Sequence, residues 1–242
     1  MGRYISFLVS VVFYFIGVGG LFYLILWMGN LLPFHPFDSD PTQPLYIALA
    51  VNALLILLFG IQHSVMARKS FKKVWTTIIP PQLERSFYVM ISGLLCVLIA
   101  YTWMPVNGVI WSFENGSTPY YISYAVYFFG IVWLLSSSFL INHFELFGLQ
   151  QGYHHLLGKK KGPQKFVEYA YYKFVRHPIY FGVIMIGIGT PHMSMTHFLL
   201  ACGFLAYIFV GYRLEEKDLL QEFGDDYQDY KSRVPALIPF LK

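Results

Sequence analysis

An all-α integral membrane protein of about six transmembrane helices is the fold class that this sequence predicts, and three observations predict it. The 242 residues are 56% hydrophobic and only 12% charged, with a mean hydropathy of +0.51; a soluble domain averages about 25% charged residues. A soluble globule of this size could not cover its surface from so small a polar stock, and a chain this apolar does not stay disordered. The charges that exist are absent from five long stretches. All 17 lysines and arginines fall in alternate connections between those stretches.

Each span can be read between charges. No charge interrupts Tyr4 to Phe37, Pro41 to Ala67, Ser86 to Phe113 or Asn115 to Phe144. A bilayer core needs about 20 apolar residues in helix, so these stretches predict one span each, near 5–29, 44–64, 86–104 and 120–141. The first run is too long for a signal peptide and no small-residue cleavage site follows it; it reads as a retained helix. The fifth stretch, His177 to Tyr212, holds 36 residues, or about 54 Å as one straight helix at about 1.5 Å per residue. Thr190-Pro191 stands near its middle, and proline breaks a helix. A tight helical hairpin follows, over 178–190 and 196–213, with its turn at Pro191–Met195.

Six spans place Arg3, the five basic residues from Arg68 to Arg85, the six from Lys159 to Arg176 and the five from Arg213 to Lys242 on one side. The positive-inside rule makes that side cytoplasmic, with both termini there. A multi-pass location with both termini in the cytoplasm is expected. The polar sequence gathers on the same side, in a loop over about 142–177 and a tail over about 214–242. Glu215 to Tyr230 reads as an amphipathic continuation of the last helix, with Leu219, Leu220, Phe223 and Tyr227 on one face. No internal repeat appears, so residues 1–242 read as one membrane-embedded domain, four N-terminal helices (1–141) followed by loop, hairpin and tail (142–242). Cys96 and Cys202 lie within apolar runs and suggest neither a disulfide nor a metal site.

The loop ends Tyr172-Lys173-Phe174-Val175-Arg176-His177-Pro178-Ile179-Tyr180-Phe181-Gly182. Pro178 suits the first position of a helix, and the free N–H groups of a first turn attract anions. Arg176 and His177 beside that end suit a carboxylate or phosphate; the plainer reading is a lipid-headgroup anchor and a helix cap. An antiparallel hairpin returns Arg213-Leu214-Glu215-Glu216 to the same place. Carboxylates at a bilayer edge are costly unless paired, so these suit an ammonium or ribose hydroxyls, or else form a solvated acidic face. A helix N-terminus opposed to an acidic pair suits a zwitterion.

Arg176-His177-Pro178-Ile179-Tyr180-Phe181-Gly182 resembles the RHPxYxG motif of the membrane-embedded S-adenosylmethionine-dependent methyltransferases, which include isoprenylcysteine carboxyl methyltransferases and phospholipid N-methyltransferases. The tail from Glu215-Glu216 through Phe223-Gly224-Asp225-Asp226-Tyr227, Tyr230 and Arg233-Val234-Pro235 to Pro239 resembles the rest of their signature. The resemblance covers about 164–239. It implies an S-adenosylmethionine pocket, with S-adenosylhomocysteine as product, built from the loop, the hairpin ends and the tail. His177, Pro178, Tyr180, Tyr172, the segment Gln164–Val167 with Phe166, and Glu215 with Glu216 take the positions of the family's cofactor contacts. One position departs. Prenylcysteine enzymes place a carboxylate-holding arginine about one turn before the glutamate, where this chain has Gly211. Arg213 is near but on another helix face. That departure argues against a carboxylate substrate.

Three N-terminal segments, Gly60–Arg68, Glu84–Val89 and Asn142–Gln150, resemble a bacterial branch of this superfamily that methylates the sulfur of a small volatile thiol. What that implies is an in-line displacement in a dry site. Thiols are weak nucleophiles until deprotonated, so polar groups at membrane edges become candidates: His63, His143 and Glu145, with Arg176, for activating and positioning the thiol. Each also has a structural reading as a hydrogen-bonder, and Glu84–Arg85 reads equally as an ion pair. Most of the aromatic residues read as lipid-facing or interfacial belts, with Tyr180 and Phe181 able to face a sulfonium. His154-His155 lacks a complementary ligand set, so no metal is expected; there is no phosphate loop, no dinucleotide fingerprint and no expected nucleic-acid partner. Rival readings are a lipid, a prenylcysteine or a larger thiol as substrate, and a non-enzymatic membrane protein.

Overall fold

The first four charge-free stretches each become one long helix, and the fifth becomes a short helix followed by a long one, so five helices rather than six are of spanning length among the described residues. The computed structural model describes residues 2–159, 166 and 168–241; Gln164 and Val167 lie outside them. Five helices are long and apolar enough to cross a membrane: α1 (Arg3–Met28), α2 (Leu45–Ala67), α4 (Pro81–Thr102), α5 (Thr118–Ile141) and α9 (Met195–Phe223). Between them run the short helices α3 (Lys69–Trp75), α6 (His143–Leu146), α7 (Leu149–Leu157) and α8 (Pro178–Ile188), and α10 (Asp225–Arg233) follows. The chain is thus a multi-pass, all-α membrane protein. Two short strands, β1 (Val109–Ser112) and β2 (His192–Ser194), pair antiparallel with Trp111 opposite Met193 and Ser112 opposite His192.

The helices fall into two units, each with its own internal packing: residues 1–105 with 141–162, and residues 106–140 with 163–242. In the first unit α1 lies against α4. In lipid no hydrophobic force drives two apolar helices together, so close backbone approach must supply the attraction. Gly17 and Gly20 of α1 and Gly93 of α4 are buried where the two backbones meet. A Cβ on Gly20 would overlap the Gly93 carbonyl, and one on Gly93 would overlap the Gly17 carbonyl. Only glycine fits this crossing. Leu24, Trp27, Ile99 and Ala100 fill the layer beyond it.

The second unit carries the hairpin. Its first arm, α8, has 11 residues, about 16 Å at about 1.5 Å per residue. Residues 189–194 add at most about 20 Å of non-helical chain. Together they match the roughly 33 Å that α9 needs to climb from Met195 to Glu216. The first arm is therefore completed by non-helical chain, whose residues 192–194 form β2 and pair with β1. The arms are tied where His197 Nε2 meets the Gly187 carbonyl oxygen at 2.9 Å. Ser194 caps α9, its Oγ accepting from the His197 N–H at 3.1 Å.

The tail corrects one expectation. The amphipathic helix does not run unbroken from Glu215 to Tyr230. It stops at Phe223, and Gly224, at φ +56°, turns the chain into α10. The break folds the tail back on itself, so that Leu219, Leu220 and Phe223 of α9 pack on Tyr227, Tyr230 and Val234, with Phe166 completing the cluster. One continuous amphipathic face would have left those residues without this partner.

Candidate functional site

Pro178 opens α8, and it is fully buried. Its ring fixes φ and lacks an N–H, which the first helical position would leave unpaired anyway. His177 precedes it as the N-terminal residue of the helix but makes no side-chain cap. Its imidazole turns instead toward α9, where Nε2 lies 3.2 Å from Glu216 Oε1 and Nδ1 lies 3.6 Å from Glu215 Oε2. The pairing of Arg176-His177 with Glu215-Glu216 is therefore the one that an antiparallel hairpin predicts.

Glu216 is the centre of this cluster, with a side chain only 3% exposed. A buried carboxylate is tolerable only when its lone pairs are taken. Arg176 Nε donates to its Oε1 at 2.7 Å, and Lys231 Nζ reaches its Oε2 at 2.9 Å. Arg176 Nη1 also donates to the Lys231 carbonyl at 3.1 Å and to the Val234 carbonyl. The backbone continues the clasp: the Arg176 N–H donates to the Pro235 carbonyl at 2.9 Å and the His177 N–H to the Ala236 carbonyl at 3.0 Å. Arg176 is thus turned inward to Glu216 and the tail rather than outward to lipid headgroups.

Glu215 has the opposite environment. Its side chain is about half exposed, and Tyr180 Oη donates to its Oε2 at 3.1 Å. The His177 ring lies 5.4 Å from that of Tyr180 and 5.6 Å from that of Tyr212. Gly211 stands beside this group: a Cβ there would meet the Tyr207 and Tyr180 hydroxyls at 3.6 and 3.8 Å. The arrangement offers an accessible carboxylate, an imidazole, aromatic faces and the open N–H groups of the α8 first turn. Acceptors, donors and faces of that kind suit a ligand that carries both charges.

Tyr172 and Phe166 lie on the tail side of the same unit. Tyr230 Oη donates to the Tyr172 carbonyl at 2.7 Å, and Phe166 packs 5.3 to 5.8 Å from the rings of Tyr230, Phe223 and Tyr227. The hydroxyls of Tyr172 and Tyr227 are buried without a hydrogen-bond partner among the described residues. Burial raises the pKa of both, with the Glu215 carboxylate adding to the shift, so both stay protonated donors.

The remaining candidates belong to the first unit and form two groups. His63 Nδ1 lies 3.1 Å from Ser92 Oγ, which donates to Gln62 Oε1 at 3.2 Å and to the Tyr88 carbonyl at 2.9 Å. Phe59 stacks on the His63 ring at 5.2 Å. His143 is buried, its Nε2 2.8 Å from Tyr14 Oη and its ring 4.6 Å from Phe147. Burial lowers the His143 pKa below 6.5, which keeps the imidazole neutral near pH 7. Glu145 is held by Asn142, whose Oδ1 accepts from the Glu145 N–H at 3.2 Å and whose Nδ2 lies 3.3 Å from Oε2. Asn142 adopts φ +124° to do so. Arg85 is tied not to Glu84 but to the Leu146 carbonyl, at 2.7 Å, with its guanidinium over the Tyr88 ring; Lys72 is the cation within 3.8 Å of Glu84. Lys231, Tyr227, Tyr14 and Ser92 escaped sequence reasoning. Only Tyr227 carried a signal, as part of the tail motif.

No family model and no solved structure matches the chain. Several curated proteins do. One from Crocosphaera subtropica, named methanethiol S-methyltransferase, is 42% identical over 219 residues, covering 90% of this chain and 86% of its own. Methanethiol S-methyltransferase 1 of Bradyrhizobium diazoefficiens is 41% identical over 240 residues, 99% of this chain and 84% of its own. A methanethiol S-methyltransferase of Mycobacterium tuberculosis is 36% identical over 240 residues, with 99% and 98% covered.

Proposed function

Because the chain belongs to the methanethiol S-methyltransferase family, we propose that it moves a methyl group from S-adenosylmethionine to the sulfur of methanethiol. Dimethyl sulfide and S-adenosylhomocysteine are the products. The cofactor supplies a methyl group already activated on a positively charged sulfur. The observation that carries this reading is the asymmetry of the acidic pair. Glu216 is closed into an ionic knot, while Glu215 beside it stays half exposed next to His177 and Tyr180. The residues fit a zwitterionic nucleoside: Glu215 for its ammonium, the α8 first turn for its carboxylate, aromatic faces for its sulfonium, and two phenol donors not yet bonded.

In this reading His177, Pro178, Tyr180, Tyr172, Phe166, Glu215 and Glu216 make up the cofactor site, with Gln164 and Val167 as its outlying contacts. Arg176 and Glu216 act as positioning residues, since the knot fixes the base of α9 against α8 and the tail. His63, His143 and Glu145 are the groups proposed to activate and hold the thiol; a neutral imidazole is the form that can accept its proton. A small thiol needs no arginine at position 211, which is consistent with Gly211 there. Residues 1–242 would work as one membrane-embedded domain. All 17 basic residues lie in alternate connections, which supports cytoplasmic termini in a bacterial cytoplasmic membrane.

The test is headspace detection of dimethyl sulfide from cells that express the chain and are fed methanethiol. Wild type is expected to release it, and His177→Ala to release little or none at equal membrane expression. A silent wild type whose purified protein still binds the cofactor overturns the thiol and leaves a methyltransferase of another substrate.

A further inference from the structure

More than nine in ten buried polar groups in proteins find a hydrogen-bond partner, and a buried hydroxyl without one costs stability. In the second unit, among the described residues, only two side-chain oxygens are orphaned in this way: the hydroxyls of Tyr172 and Tyr227. Tyr172 already takes the position of a family cofactor contact. Tyr227 does not, and it is the more telling of the two. It is 2% exposed and sits in the cluster formed by Phe166, Phe223, Tyr230 and Val234. Its neighbour Tyr230 is equally buried, yet Tyr230 donates to the Tyr172 carbonyl at 2.7 Å. The cluster therefore has room to satisfy a phenol, and it satisfies one but not the other.

A purely structural tyrosine in that position gains nothing from its oxygen, and phenylalanine would fill the same apolar space without the desolvation cost. Resting on the cofactor reading above, we propose that Tyr227 is a cofactor-binding residue whose hydroxyl donates a hydrogen bond to an acceptor of S-adenosylmethionine. The orphaned Tyr172 hydroxyl is its companion donor in the same pocket. The surroundings agree. Tyr227 and Tyr172 both feel the charge of Glu215, the accessible carboxylate of the site, and Tyr227 also feels Arg176 and Glu216. Burial holds the Tyr227 phenol well above its ordinary pKa, so it remains a donor at any working pH. The break at Gly224 is what delivers it: the turn to φ +56° brings α10, and with it Tyr227, back over α9.

Two measurements on the full-length protein in detergent test this, namely calorimetric binding of S-adenosylhomocysteine and thermal unfolding without ligand. Tyr227→Phe is expected to weaken binding about 3- to 10-fold, the loss of one neutral hydrogen bond. Its ligand-free Tm is expected to be unchanged or higher, because the deleted hydroxyl has no partner in the unliganded protein. Tyr227→Phe/Tyr172→Phe is expected to weaken binding further. A variant that binds as tightly as a binding-competent wild type overturns the contact and leaves the cofactor reading standing. A Tyr227→Phe protein with a lowered ligand-free Tm also overturns it, since the hydroxyl would then serve the fold. A wild type that binds no S-adenosylhomocysteine removes the cofactor reading itself, and the contact with it.

Discussion

Among the described residues, the tightest link between side chains in the second unit is ionic, and that in the first is not. In the first unit the histidine links run to neutral partners, His63 with Ser92 and Gln62, and His143 with Tyr14, and the ion pair of Lys72 with Glu84 is loose at 3.8 Å. In the second the links are ionic, with Glu216 enclosed by Arg176, Lys231 and His177. A neutral link costs little to bury and contributes little, whereas a buried ion pair contributes modestly while intact but costs heavily when halved. The first unit gains its cohesion from backbone contact at Gly17, Gly20 and Gly93. The second gains its precision from charge.

Glu216→Gln should expose the contrast most sharply. It leaves the Arg176 guanidinium, 9% exposed, facing a neutral amide, and should cost about 3–5 kcal/mol. Thermal unfolding in detergent checks this, and Arg176→Met/Glu216→Leu should recover much of the loss because no buried charge then remains unpaired, Lys231 being 38% exposed and able to turn to water. A Glu216→Gln protein that melts with wild type would show that the knot holds nothing. Next in size, Gly93→Val should cost about 1–3 kcal/mol or more, since its side chain meets the Gly17 backbone. The same melting experiment should show it without any loss of cofactor affinity per folded molecule. The neutral links come third: Ser92→Ala and Tyr14→Phe should each cost about 0.6 kcal/mol, measurable as small shifts in denaturant midpoint.

The smallest effect is a pH slope. Burial holds the folded pKa of His143 below 6.5, so the unfolded chain takes up its proton first as the pH falls. Stability from this group is complete above about pH 6.5 and declines below it, toward the folded value. His143→Phe should flatten that part of the curve when Tm is followed between pH 7.5 and 5.

The spans were legible because the bilayer dictates their length and because charge marks their ends. The pairing of Arg176-His177 with Glu215-Glu216 was legible for a related reason: an antiparallel hairpin must bring its two ends together. What escaped were features that leave no periodic trace. Pro191 marked the end of the first arm, but nothing local in residues 189–194 showed that the turn would include a strand, β2, paired with β1. Gly224 fits an amphipathic face as well as it fits a break, and only its positive φ decides. The contact of Tyr14 with His143 joins positions 129 apart, and local sequence holds no record of such a distance. Arg176 read as an anion or thiol contact or else as a lipid anchor, because its partners Lys231 and Val234 lie 55 and 58 residues further on.

That separation has a consequence during biosynthesis. Ribosomes add about 5–20 residues per second, so Arg176 emerges roughly 3–12 s before the Val234 carbonyl that it will hold. For that interval α8 lacks the tail segment to close against, and for the first 40 residues of it Glu216 as well. The ionic knot around Glu216 is therefore among the last parts of the molecule to mature, and its maturation waits on the tail rather than on membrane insertion of the helices before it.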